Sequence, residues 1–314
     1  MEDIGARLKA LPKTLRAADA FCIAFLLLLT ALASVAPGRV PHWRLLASAN
    51  VVSLAAIVVS RRLALASGNS YMRFILSGVP LMLFVWLWSE IGMLQHVLHE
   101  QWFDQTIIDF ERRLFGVDLS LWVQRFISRP VTEWMMFGYF AYLPAIPLLA
   151  LVLYFKVRAK AMDAFVFAMA LAYGTCFLGF ILFPVEGPRY WFEGRFTHDL
   201  SGYVFRWLTK LMEDYGHFPG GCFPSPHSTA GTVMLVVAYR YHRPSFWVLV
   251  PVIGTFYPAT VYGRYHYVLD TVAGIALGLA VGWAAPRIEA WWDALRGRPA
   301  IPLGTKPVGG SQMG

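Results

Sequence analysis

The chain alternates long apolar runs with short polar connections. A helix needs about 20 apolar residues to cross a hydrocarbon layer of about 30 Å. By that measure spans are predicted near 17–36, 44–60, 71–95, 133–155, 162–183, 226–242, 245–262 and 264–286. The last three are separated by His242-Arg243-Pro244 and Gly263-Arg264, polar or helix-breaking steps that argue against one continuous run. The first run follows Arg7, Lys9, Lys13 and Arg16, as a signal peptide would. It is succeeded by Pro37-Gly38-Arg39 rather than by a small-residue cleavage site, so it reads as a retained span. The expectation is an all-α, polytopic membrane helical bundle of about eight transmembrane helices.

Between the third and fourth runs, residues 96–132 mix Trp102, Ile107, Ile108, Phe110, Leu114, Leu119, Trp122 and Phe126 with charges, the pattern of amphipathic helices lying in a membrane interface. The chain divides into N-terminal membrane helices (1–95), this interfacial segment (96–132), a membrane core (133–286) and a Gly/Pro-rich tail (287–314) with a disordered, cytoplasmic composition.

Composition agrees with a lipid solvent: 57% of residues are hydrophobic and 15% charged, against about 25% charged in an ordinary soluble domain. The net charge of +8 first suggests nucleic acid. With the N-terminus cytoplasmic, however, 16 of the 27 Lys and Arg and 6 of the 19 Asp and Glu fall on the inside, +10 against −2 outside. Every short inside connection is basic, as the positive-inside rule requires. Both termini are therefore expected in the cytoplasm, and no nucleic-acid partner is expected. Cys22, Cys176 and Cys222 form no CxxC or metal-like spacing, so neither a disulfide nor zinc is expected.

Three clusters fall on the predicted outer side: Gly187-Pro188-Arg189, Phe223-Pro224-Ser225-Pro226-His227-Ser228 and His266-Tyr267-Val268-Leu269-Asp270. Ser225-Pro226 reads as an N-cap followed by the first helical residue, either a plain helix start or a phosphate cradle. His266 and Asp270, spaced i and i+4, share a helix face, so the carboxylate can fix one ring nitrogen and leave the other as nucleophile or base. The alternative is a structural pair in a polar cavity. Arg189 presents a planar fork suited to phosphate, or snorkels to headgroups.

Pro224-Ser225-x-His227 with His266-x-x-x-Asp270, both at span starts, resembles the type 2 phosphatidic acid phosphatase superfamily over about residues 133–286. Gly187-Pro188-Arg189, Phe223-Pro224-Ser225 and Thr260-Val261-Tyr262 with His266-Tyr267 and Asp270 are similar to its inositol phosphorylceramide synthase-like branch. The resemblance implies a six-helix catalytic core and a lipid phosphatase or phosphotransferase acting on a lipid phosphate or phosphodiester at the outer face. The setting would be a membrane such as a bacterial inner membrane, with no cofactor and no metal. It implies that His266 forms a phosphohistidine, Asp270 orients it, His227 protonates the leaving alkoxide, and Arg189 and Ser225 hold the phosphoryl oxygens.

The family's lysine position is Leu182 here, and the proline after its first arginine is Tyr190. Its Ser-Arg pair is Ala259-Thr260, and the glycine of its second motif is Pro226. Two cationic phosphate ligands are thus absent. Arg264 can stand in for one only from the loop before its helix, since two residues before His266 it would face another way. Fewer cations suit a phosphodiester, leaving a headgroup-transferring synthase open beside a phosphatase. A non-catalytic lipid transporter on the same scaffold is a third reading.

His96, His99 and Glu100 have helical spacing but no further ligand, and read as an interfacial helix end. Glu186 is placed either to orient Arg189 or to face solvent. His198, Asp199, Glu213, Asp214 and His217 decorate the outer loop, and Trp191, Phe192, Tyr203 and Trp207 read as interface aromatics.

Overall fold

The computed structural model describes residues 14–216 and 218–297. Arg7, Lys9, Lys13, His217, Arg298, Lys306 and the tail beyond 297 lie outside them. Helix accounts for 78% of the structure, with no strand among the described residues. The helices are α1 (Ala17–Val35), α2 (Trp43–Ala66), α3 (Ser70–Ser77), α4 (Val79–Leu94), α5 (Asp104–Phe115), α6 (Leu119–Trp122), α7 (Arg129–Val152), α8 (Ala159–Leu182), α9 (Pro188–Trp191), α10 (Val204–Gly216), α11 (Pro226–Tyr241), α12 (Arg243–Tyr262) and α13 (Val268–Leu295).

Among the described residues, seven helices are long and apolar enough to cross a membrane: α1, α2, α3 with α4, α7 with its π-helical extension to Val157, α8, α12 and α13. The sixth of the eight predicted spans corresponds to α11, which is shorter than these seven. There α11 has only 16 residues, about 24 Å of helix. It is bounded by Pro226 at its first turn and by His242, whose side chain accepts from Ser245 N to cap α12. The third span is two helices meeting at Gly78, where Pro80 opens the first turn of α4.

α8 is the hub. Apart from Lys160 and Asp163 in its first turns it is largely apolar all round, as a helix buried among others must be, and α1, α4, α11 and α13 all pack on it. Beside it, α11 and α13 form the closest pair. Gly274, Gly278 and Gly282 recur every fourth residue on α13, so α11 approaches without intervening side chains. A Cβ at Gly274 would sit 2.6 Å from the Ser225 carbonyl oxygen, and one at Gly278 2.7 Å from that of Thr229. This contact sets the start of α11 against the start of α13.

The interfacial segment folds as α5, α6 and a short 3-10 turn. Phe110, Leu114 and Phe115 face outward, while Ile107 and Ile108 pack with Val185, Phe192, Cys222 and Tyr267. α10 is also amphipathic: Tyr203, Val204, Trp207 and Leu211 are exposed, and Thr209 and Glu213 are buried against the bundle.

Candidate functional site

The starts of α11 and α13 meet the loop after α8 at one end of the bundle. His227, in the first turn of α11, faces His266, with Nδ1 3.2 Å from His266 Nε2. His266 is 2% exposed, and its Nδ1 lies 3.6 Å from Asp270 Oδ2. Asp270 is tied to the backbone: Oδ2 accepts from Tyr267 N at 2.9 Å, and its carbonyl accepts from Ser225 N at 3.0 Å. Burial draws the His266 imidazole down to about 3, partly offset by the Cys222 backbone. The ring is thus neutral over the whole physiological range, with Nε2 directed at His227.

His227 and His266 line a cavity of about 40 Å³ together with Arg189, Arg264, Tyr190, Tyr139, Trp88 and the 218–222 loop. Such a volume admits two or three water-sized groups, the scale of a phosphoryl's oxygens. Arg189 donates from Nη2 to Glu213 Oε2 at 2.6 Å, and its Nη1 is buried with no hydrogen-bond partner. An unpartnered guanidinium donor beside the cavity is suited to hold an anion. Glu213 also accepts from Arg206 Nη1 at 2.7 Å and from the Tyr265 hydroxyl. These donors outweigh burial and hold its carboxyl below the usual range.

Arg264 lies in the turn between α12 and α13 with a left-handed backbone (φ 66°), a conformation uncommon for a residue bearing a Cβ. It reaches the same cavity as Arg189, stacks over Phe196 at 4.0 Å and donates to the His198 carbonyl. Ser225 differs from its expectation. It is fully buried, its hydroxyl accepts from Ser228 N at 3.2 Å as the N-cap of α11, and it does not line the cavity. Leu182, at the family's lysine position, is exposed on the outside of α8.

Several residues that shape the site were assigned no such role by their spacing. Asp104, at the start of α5, accepts from Glu186 N at 2.7 Å, Gly187 N at 2.9 Å and the Tyr267 hydroxyl at 2.8 Å. It thereby clamps the loop carrying Arg189 to the residue beside His266. Gly187 has φ 102°, and a Cβ there would strike Cys222 Sγ. Glu111, one face along α5, accepts from Leu269 N at 2.8 Å at the α13 N-terminus, and burial raises it to about 7. The carboxylate that orients Arg189 is Glu213, read earlier as loop decoration, whereas Glu186 contributes its backbone. Such long-range pairs leave no periodic trace; the acids stand out only as charges on the apolar faces of α5 and α10.

The donor atoms of Cys222, His266 and Asp270 lie within 4.8 Å of one another, the one such group among the described residues that could hold a metal. Burial pushes the Cys222 thiol well up. Its hydrogen is shared by the carbonyls of Glu186, Gly220 and Tyr265 at 3.5–3.6 Å. Both features favour thiol over the thiolate a metal selects. His96 turns its Nδ1 to the His99 carbonyl at 2.9 Å and Glu100 pairs with Arg39 at 3.0 Å, so that trio does not converge.

A membrane-type helical bundle presenting two facing histidines, a buried carboxylate and an arginine with a spare donor is the class of protein this geometry defines. The sequence matches the family model of the PAP2 superfamily over residues 105–284, more than half of the chain, and the protein belongs to that superfamily. No curated protein and no solved structure matches it significantly. Members of the superfamily are generally phosphatases or phosphotransferases.

Proposed function

We propose that this protein transfers the phosphoryl group of a lipid phosphate or phosphodiester through a phosphohistidine on His266. The observation that carries the reading is the neutral, buried His266 with Nε2 facing His227 at 3.2 Å, beside the unpartnered Nη1 of Arg189.

His266 Nε2 attacks phosphorus as the bond to the leaving alkoxide breaks, and His227 gives that alkoxide its proton. Asp270, 3.6 Å from Nδ1, orients the ring and balances the charge it acquires. Arg189 and Arg264 hold the phosphoryl oxygens, and Ser225 sets the helix end that carries His227. Water or an acceptor hydroxyl then gives its proton to His227 and attacks the phosphohistidine, restoring both imidazoles. The chain's own residues carry each of these steps. The +10 against −2 charge division supports placing the site at the extracytoplasmic face, with both termini cytoplasmic, in a bacterial inner membrane.

Leu182 and Thr260 stand where the family has cations, and Glu213 compensates Arg189. The low net positive charge supports a singly charged phosphodiester donor, hence headgroup transfer of the inositol phosphorylceramide synthase type. The test is a chase with donor lipid labelled at phosphorus. Wild-type protein should form an acid-labile, alkali-stable phosphoenzyme, and His266→Ala should form none, with turnover reduced at least about 10³-fold. Retained turnover in that variant would sink the mechanism. Free phosphate from a monoester donor, or the headgroup monophosphate from a diester donor, identifies hydrolysis; a new phospholipid identifies a transferase.

A further inference from the structure

A second cavity, about 590 Å³, lies beneath the first and shares Trp88, Tyr139 and His227 with it. Its walls are α3–α4, through Phe74, Leu81 and Phe84, and α7, through Ile146; its floor is α8, through Val166 and Phe177. Resting on the proposed phosphoryl-transfer reading, we infer that this groove holds one hydrocarbon chain of the lipid substrate, laid along the helices with its phosphate end at His227.

Three observations select that occupant. The groove adjoins the histidine cavity, sharing Trp88, Tyr139 and His227 with it, so a chain that fills it has its upper end beside His227. Its surface is mostly apolar; of its polar side chains, Tyr142 and Tyr173 bond to each other at 2.9 Å, Thr209 donates to the Arg206 carbonyl, and Glu213 is held by Arg189 and Arg206. It also runs between helices of membrane-spanning length, where the available filler is lipid chain.

The groove has a length that can be read in carbons. Along α7 it extends from Tyr139 to Ala150, and along α8 from Phe177 to Met162, about 16 and 22 Å at 1.5 Å per residue. A saturated chain with bonds of about 1.5 Å at about 111° advances roughly 1.25 Å per carbon. The groove thus accommodates about 13–18 carbons, and Ile146 lies about 8 carbons below Tyr139.

The experiment compares kcat/KM for lipid phosphates of graded chain length in the wild type, Ile146→Trp and Ala150→Trp, with Leu148→Trp on the exposed face of α7 as reference. Ile146→Trp should lower the ratio of long-chain to short-chain kcat/KM by about 5- to 150-fold, the factor overpacking by added bulk imposes. Its optimum should move to about 8 carbons. Ala150→Trp, at the far end, should trim only the longest chains, and Leu148→Trp should match the wild type. Profiles of both groove variants parallel to the wild type would overturn the assignment. A lipid phosphate with a photoreactive group near its chain end supplies a readout independent of turnover. Labelling of the groove-lining residues Ile146, Ala150, Met162 and Val166 in His266→Ala supports the groove even if the phosphohistidine mechanism fails. Labelling confined to outward-facing residues such as Leu148 and Trp247 rejects the groove even if that mechanism stands.

Discussion

Two arginines near opposite ends of α8, Arg16 buried and Arg189 half-buried, differ in what surrounds them. Arg16 is saturated: it donates to both oxygens of Asp19, to Asp163 at 2.6 Å and to the Ser77 carbonyl, tying α1 to α3 and α8. Arg189 has a strong partner in Glu213, yet its Nη1 is buried without an acceptor. Nearby, His266 Nδ1 and Asp270 Oδ1 also lack hydrogen-bond partners. A closed ion network makes a joint, whereas donors left open in a buried place await a ligand whose charge completes them. The same residue type thus serves architecture at one end and binding at the other.

Substitution at each end should separate these roles. Arg16→Ala leaves Asp19 and Asp163 without their shared cation, and should destabilise the fold by about 3–5 kcal/mol, read as a lower melting temperature, with turnover per folded molecule unchanged. Arg189→Ala should lower kcat/KM by about 10²–10³-fold, the scale of losing one stabilising donor to a transition-state oxyanion, with much less effect on melting. If the two variants lose stability and turnover in the same proportion, the contrast is wrong.

Gly278→Leu tests the contact that holds the histidines together. The added side chain must displace Thr232 and the backbone of α11, costing about 1–3 kcal/mol. Turnover should fall more than melting does, because the separation of His227 and His266 changes. The smallest effect concerns pH. Burial raises Glu111 from 4.5 to about 7, so its folded-state pKa lies above its unfolded value. The stability linked to it is full below about 4.5 and declines as pH rises through 7. Glu111→Gln should remove that decline from melting curves taken across this window. His266 has the opposite shift, down to about 3. Its contribution is full above 6.5 and is lost as pH falls toward 3, and phosphoenzyme formation should show no acid limb at 6.5.

His227, His266, Asp270 and Arg189 could be picked out in the sequence because each sits at a helix start or in a Gly-Pro turn, where local spacing carries the chemistry. The GxxxGxxxG run of α13 was also in plain sight and marks the helix pair that aligns the histidines. Asp104, Glu111 and Glu213 could not be assigned that way. Asp104 lies 83 residues from the Gly187 amide it holds, and nothing local links them. The sixth predicted span, 226–242, coincides with α11 (Pro226–Tyr241), whose start at the Ser225 cap and end at His242 leave it shorter than the other seven.

The sequence by itself determined that the chain is a bundle of membrane-type apolar helices and which residues at the helix starts carry the chemistry proposed for phosphoryl transfer, since these depend on hydrophobic length and on neighbours within one helical turn. Only the tertiary structure decided that Ser225, the expected cap, lies outside the cavity lining, that Glu213 balances Arg189, that α5 clamps the site from outside the bundle, and that an apolar groove adjoins His227. These follow from which helices pack together, and close packing is set by shape across the whole molecule rather than by any local stretch of it.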